Sequence, residues 1–341
     1  MTVYFSCSGS CGTASGVSST VTDRGTPLAA LQYLAGPKPP SPQEVRMMER
    51  AIIATDLSEA SDIMVRRLGF LAEFGIKSLL LLQCPDYQEV ASEVFPYVAT
   101  IQTEAIEKQK SQLEELGFSV ESRISPGNAK REINRIAEEE GYPLVVVGSQ
   151  GRSLIGGAFL GGVAHEVMLG TRKPLLIIRL TVDEQRHLSV TGISPDGVSA
   201  HILFATDFSS GAEGAYAYLE QLIATGNVRK VTLLHVQDRT HIEPHLVQRL
   251  EEFNTVDEKR LEEMKARLAS GAPVEILTKL IYGDPHIEIM RELEESKASM
   301  IMMGTQGRGF FRELFVGSVS QYIARRSVVP VLLIPIKGEQ G

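Results

Sequence analysis

Residues 303–319 read Met-Gly-Thr-Gln-Gly-Arg-Gly-Phe-Phe-Arg-Glu-Leu-Phe-Val-Gly-Ser-Val. The apolar run ending at Met303 has the character of a buried strand, and the residues after Gly317 have that of a helix, so spaced glycines join the two. Gly304, Gly307 and Gly317 leave backbone N–H groups free of side-chain obstruction, and Ser318 stands where it would cap the helix. A helix N-terminus offers unpaired donors and about half a positive charge. An anion such as phosphate would rest against Gly317, Ser318 and Val319 without any lysine.

The stretch occurs twice. Gly148-Ser149-Gln150-Gly151-Arg152 answers Gly304-Thr305-Gln306-Gly307-Arg308, and Gly161 follows Gly151 at the separation that divides Gly317 from Gly307. Upstream, Ala54-Thr55-Asp56-Leu57-Ser58 matches Ala205-Thr206-Asp207-Phe208-Ser209, each directly after an apolar run. The chain is a tandem repeat. Its 341 residues, 43% hydrophobic, suffice for two domains that each bury a core.

A net charge of -8 and the lack of a basic stripe argue against a nucleic-acid surface. No apolar run approaches the ~18 residues that cross a bilayer, and nothing reads as a secretory leader, so a cytoplasmic protein without membrane attachment is expected. Cys7, Cys11 and Cys84 make no disulfide framework. Residues 1–46 are rich in Ser, Gly, Thr and Pro and are expected to lack order. Met47-Met48 also offers an alternative start, which the intact mass of the native protein would test.

From Arg50 onward strands alternate with helices. Ala51-Ile52-Ile53-Ala54 reads as a strand buried on both faces. Ser58 should cap a helix with Ala60, Met64, Leu68 and Leu71 on one face, ended by Gly75. Further strands are expected at Ser78–Gln83, up to Ser125, at Leu144–Val147 and at Pro174–Ile178, with helices from about Pro96 to Leu116 and from Asn128 to before Gly141. Residues 181–199 carry Gly192, Pro195 and Gly197 with little periodicity and read as a linker. The second copy repeats the plan, with strands near 201–206, 229–236, 273–281, 299–303 and 330–335. Such alternation predicts a doubly wound parallel α/β domain in each half, with the ligand crevice beyond the C-terminal strand ends.

On these residues the chain resembles the universal stress protein family from about Met48 to the C-terminus, in residues 47–180 and 200–337. The resemblance implies two tandem five-stranded Rossmann-like sheets of the adenine nucleotide alpha hydrolase type, paired through Pro174–Ile178 and Pro330–Ile334 as an internal pseudo-dimer. A further homodimer is left open. In the second half, Gly304, Gly307, Gly317 and Ser318 reproduce the spacing of ATP-binding members. This implies Asp207 near the ribose, Val236 and Met303 lining the adenine, Ser318 and Val319 with the glycine loop on the phosphates, and Thr206 giving backbone contacts to the base. Arg308 is our own addition as a phosphate contact, with a solvated side chain the alternative. ATP, with or without Mg, is the implied ligand.

The first half keeps Asp56, Gly148, Gly151 and Gly161 but has Gly162 where the second has Ser318. One lost hydrogen bond to a charged group, about 1.5–3 kcal/mol, would weaken a site there by roughly ten- to a hundredfold. Cys84 and Pro85 replace Val236 and Gln237, and Val147 replaces Met303. This half is expected to be a weak site or a scaffold.

Plainer readings stand beside these. Asp56 and Asp207 would also organise turns, Ser318 would also serve as a bare cap, and Phe310, Phe311 and Phe315 would pack beneath the loop. His235 reads as a strand-end histidine with local hydrogen bonds. His241 and His245 are interrupted by Pro244, and Cys7 with Cys11 lacks completing ligands, so no metal site is expected. No loop ending in Gly-Lys-Ser/Thr, nucleophile elbow or paired nucleophile and base marks an enzyme. A nucleotide-binding regulator of stress survival is the leading reading. A nucleotide-free interaction or scaffold module is the alternative, and a slow ATP hydrolase or adenylate-using enzyme is the third.

Overall fold

The computed structural model describes residues 49–86, 95–150, 160–182, 188–193, 197–242, 249–269, 273–307 and 316–336. The leader, Gly151, Arg308, the three loop phenylalanines and His245 lie outside the described residues.

The first half runs β1 (Arg50–Thr55), α1 (Glu59–Val65), β2 (Ser78–Gln83), α2 (Phe95–Glu115), β3 (Ser119–Ile124), α3 (Ala129–Glu139), β4 (Val145–Gly148), α4 (Gly162–Gly170) and β5 (Leu175–Ile178). A small ribbon, β6 (Leu180–Val182) and β7 (Leu188–Val190), leads to the second half. There β8 (His201–Thr206), α5 (Ser210–Ala224), β9 (Lys230–Asp238), α6 (Leu250–Ala269), β10 (Glu275–Gly283), α7 (Pro285–Ser296), β11 (Met300–Gly304), α8 (Ser318–Arg326) and β12 (Val331–Ile334) repeat the order.

All ten main strands form one sheet in the order β10-β9-β8-β11-β12-β5-β4-β1-β2-β3. Pairing within each half is parallel. The seam between halves is antiparallel, with Val331 opposite Ile177 and Leu333 opposite Leu175. Successive strand residues feed opposite faces, as continuous apolar runs in a doubly covered sheet require. Ile53, Phe204 and Leu332 join Met64, Leu113, Tyr216 and Leu261 in one core, while Ile52, Leu203 and Leu333 join Ile133, Val167, Ile289 and Ile323 in the other. Each core draws on both halves.

Two expectations need correction. Ala60, Met64, Leu68 and Leu71 are all buried, but they do not share one helix. The α-helix stops at Arg66, and Leu68–Phe74 continues as a 3-10 helix that Gly75 ends at φ 84°. The tighter turn lets Phe70 and Phe74 meet edge to face at 5.9 Å. Residues 181–199 are also more than a linker. Their β6–β7 ribbon is antiparallel and buries Leu180 completely. Glu73 then grips the return of the chain, accepting from both the N–H and the hydroxyl of Ser199, while Asn227 Nδ2 donates to the Glu73 carbonyl at 2.8 Å. Gly197, at φ 98°, passes against that carboxylate where any Cβ would collide with it.

Candidate functional site

In both halves the first strand of the sequence sits in the middle of its half-sheet, and the chain crosses to opposite sides of it afterwards. That reversal opens a crevice at the C-terminal strand ends. In the second half the ends of β8, β9 and β11 bring Thr206 and Asp207, Val236, and Met303 and Gly304 to it. Val236 and Met303 belong to the same apolar cluster, with Val319 packed against it.

Asp207 sits in a strained turn. Its Oδ1 accepts from the Ser209 N–H at 3.0 Å, and Ser209 caps α5 by accepting from the Ala212 N–H. Phe208 between them is left-handed at φ 58°, which a bulky residue adopts only when neighbours hold it. Asp56, Leu57 (φ 57°) and Ser58 build the same turn in the first half. The turn-forming role of both aspartates is therefore present, and Asp207 Oδ2 lies beside Gly307 of the glycine loop.

A Cβ at Gly307 would fall 2.5 Å from Asp207 Oδ2, and one at Gly304 would fall 2.9 Å from the backbone of Gly211. A Cβ at Gly211 would in turn come within 2.5 Å of the Gln306 carbonyl. Glycine at all three lets the loop lie directly on the first turn of α5. The loop is closed at its base, because Thr305 N–H donates to Ile334 and Gly317 N–H donates to the Thr305 carbonyl at 2.6 Å. Ser149 and Gly161 repeat this closure in the first half.

The N-terminus of α8 differs from those of α1, α3, α5 and α7. Asn128, Ser209 and Asp284, like Ser58, cap their helices with side-chain oxygens. Helix α8 starts from Gly317 without any side-chain cap. The expectation that Ser318 caps it is corrected: Gly317 already holds the extended cap conformation (φ -72°, ψ 163°), so Ser318 is the first helical residue and is exposed. The N–H groups of Ser318, Val319 and Ser320 precede the first intrahelical bond, from Gln321 to Gly317.

Sequence reasoning missed Ser320. Its buried hydroxyl donates to the Gly304 carbonyl at 2.9 Å and so ties α8 to the end of β11. The first half has Ala164 there, a difference visible once the two copies are aligned. It also missed that Thr206 is already engaged: its hydroxyl accepts from Phe208 N–H, and its carbonyl faces His235 Nδ1 at 2.7 Å.

In the first half α4 likewise starts from an uncapped glycine, Gly161, with Gly162 exposed behind it. Ala60 stands where Gly211 permits close approach, and a Cβ at Gly148 would meet the Leu180 and Met64 side chains first, with the Gln150 carbonyl 3.3 Å away. Cys84, in place of Val236, is half-buried, and burial, with Glu132 adding to it, pushes its thiol up to about 12. The two loop helices touch across the seam, where Arg325 reaches His165 at 3.1 Å, and Arg179, just after β5, donates to the Ala324 carbonyl of α8 at 3.3 Å. Among the described residues no group of three or more His, Cys, Asp or Glu side chains is placed to hold a metal, and no helix is long and apolar enough to cross a membrane.

This duplicated sheet with a glycine loop at each switch point defines the class, and sequence comparison gives the family. The universal stress protein family matches residues 47–179 and again 199–335, and the chain belongs to that family. A universal stress protein of Mycolicibacterium smegmatis is 22% identical over 298 residues, covering 83% of this chain and 96% of that one. One of Methanocaldococcus jannaschii is 29% identical over 154 residues, 40% of this chain and 94% of its own length. The crystal structure of a universal stress protein from Archaeoglobus fulgidus superposes with a TM-score of 0.64 at 24% identity, over 85% of this chain and 99% of that one. That likeness establishes the fold.

Proposed function

We propose that the second half binds ATP and that its occupancy regulates the protein in a stress response, with the first half serving mainly as its scaffold. The observation that carries this reading is the conjunction of an uncapped α8 N-terminus with a loop whose Gly307 lies on the Asp207 carboxylate. A phosphate chain fits the N-terminus of a helix that starts without a side-chain cap, and a ribose fits a carboxylate set at the edge of the glycine loop. Val236 and Met303 supply apolar surface for the base. ATP would thus be held by Asp207, Gly304, Gly307, Gly317, Ser318 and Val319, with its own magnesium carried on the phosphates.

We read the half as binding rather than catalytic, since one carboxylate committed to a turn makes a poor hydrolytic site. The first half favours the scaffold reading, because Gly162 and Ala164 both lack the hydroxyls of Ser318 and Ser320. Small molecules released on denaturing the purified protein, identified by mass, together with titration of ATP, test this. About one ATP per chain, lost in Gly317→Val, is the expected result. No nucleotide under any condition would leave an interaction module.

A further inference from the structure

We propose that His235 is a positioning residue of this site, a claim that rests on the nucleotide reading above: its doubly protonated ring fixes the turn that presents Asp207. His235 lies near the end of β9, paired in register with Thr206, and only 4% of it is exposed. Nδ1 stands 2.7 Å from the Thr206 carbonyl, which can only accept, so that nitrogen carries a proton. Nε2 stands 3.6 Å from Asp257 Oδ2 on α6. A neutral ring would turn its Nε2 lone pair toward a carboxylate, whereas an imidazolium satisfies both neighbours.

Asp257 is itself fixed, accepting from Gln237 Nε2 at 2.9 Å and from Arg260 Nη1 at 3.4 Å. The ring of Phe208 lies 4.4 Å from the imidazole, with the Arg260 guanidinium 5.3 Å beyond it. His235 therefore holds the residue before Asp207 by its carbonyl and the residue after it by its ring. That grip adds a second hold to a left-handed turn that Leu57, at φ 57°, also adopts in the first half without a histidine. In the first half Gln83 occupies the same register position, opposite Thr55, whose hydroxyl accepts from the Leu57 N–H as that of Thr206 does from Phe208 and also donates to Gln109 at 2.7 Å. A cationic clamp thus belongs to the second half.

The test uses the full chain, with ATP affinity by calorimetry, unfolding midpoints, and 15N spectra of histidine-labelled protein. In His235→Leu, ATP affinity should fall about tenfold. His235→Asn places an amide N–H where Nδ1 was and should recover most of that loss. In the wild type both His235 nitrogens should give protonated signals, and Asp257→Asn should shift the Nε2 signal and weaken ATP severalfold.

Wild-type affinity in His235→Leu, or an unprotonated Nε2, overturns the proposal. If His235→Leu fails to fold, Asp257→Asn decides, since unchanged affinity together with an unchanged ring signal also overturns it. A wild type that takes up no ATP overturns the nucleotide reading itself. The ring signals would then report on the clamp alone.

Discussion

The two glycine loops share a backbone and differ in what surrounds it. Both are closed by the same pair of main-chain hydrogen bonds, both begin beside an Asp-x-Ser turn with a left-handed middle residue, and both lead into a helix that starts from an uncapped glycine. Around the second loop stand Gly211, Ser318 and Ser320; around the first stand Ala60, Gly162 and Ala164. Fold-level geometry is therefore shared where the surrounding side chains differ, which separates what the fold needs from what a ligand would need.

The sharpest way to break this comparison is a methyl group at matched positions. Gly304→Ala meets backbone at 2.9 Å, whereas Gly148→Ala first meets side-chain ends, Leu180 Cδ1 at 3.0 Å and Met64 Sδ at 3.2 Å, and backbone only at 3.3 Å, the Gln150 carbonyl. The first should cost about 2–3 kcal/mol in urea unfolding and remove ATP binding, the second about 1 kcal/mol or less. Equal costs would show that the two loops are held alike. Gly307→Ala comes next. Its methyl group displaces the Asp207 carboxylate from an exposed loop, so ATP affinity should fall tenfold or more, read by calorimetry, with the unfolding midpoint nearly constant.

Ser320→Ala removes the bond to the Gly304 carbonyl and should cost about 1 kcal/mol. The reverse change, Gly162→Ser with Ala164→Ser, sharpens the comparison by restoring the first half. A rise toward two ATP per chain is expected, and no change would place the defect elsewhere, with Cys84 as the next suspect. Cys84 itself offers the gentlest probe. With its thiol pushed up to about 12 by burial, alkylation by iodoacetamide at pH 8, followed by peptide mapping, should run at least a hundredfold slower in the folded than in the unfolded chain.

The sheet was legible because parallel strands buried on both faces leave apolar runs such as Ile52-Ile53 and Leu203-Phe204, and because the repeat made each half check the other. Spacing also pointed to Gly304, Gly307 and Gly317. What escaped was set by contacts with no local signal. The break after Val65 depends on how Phe70 and Phe74 pack, and the ribbon at Leu180 depends on a core the linker does not announce. Ser318 as a cap failed by one residue, since composition cannot tell an N-cap glycine from a glycine preceding one. His235 was read as locally bonded, and so it is, but its second partner, Asp257, is brought in by a distant helix.

The antiparallel seam between β5 and β12 has a further consequence. Because its partners lie on one polypeptide, the pairing cannot be lost by dilution, and neither half can exchange for a foreign copy. Separate subunits encoded by one gene must stay identical, so damage to one site damages both. Fusion lifts that constraint: each half can change on its own while its neighbour remains guaranteed, so two loops with unlike surroundings can persist in one molecule.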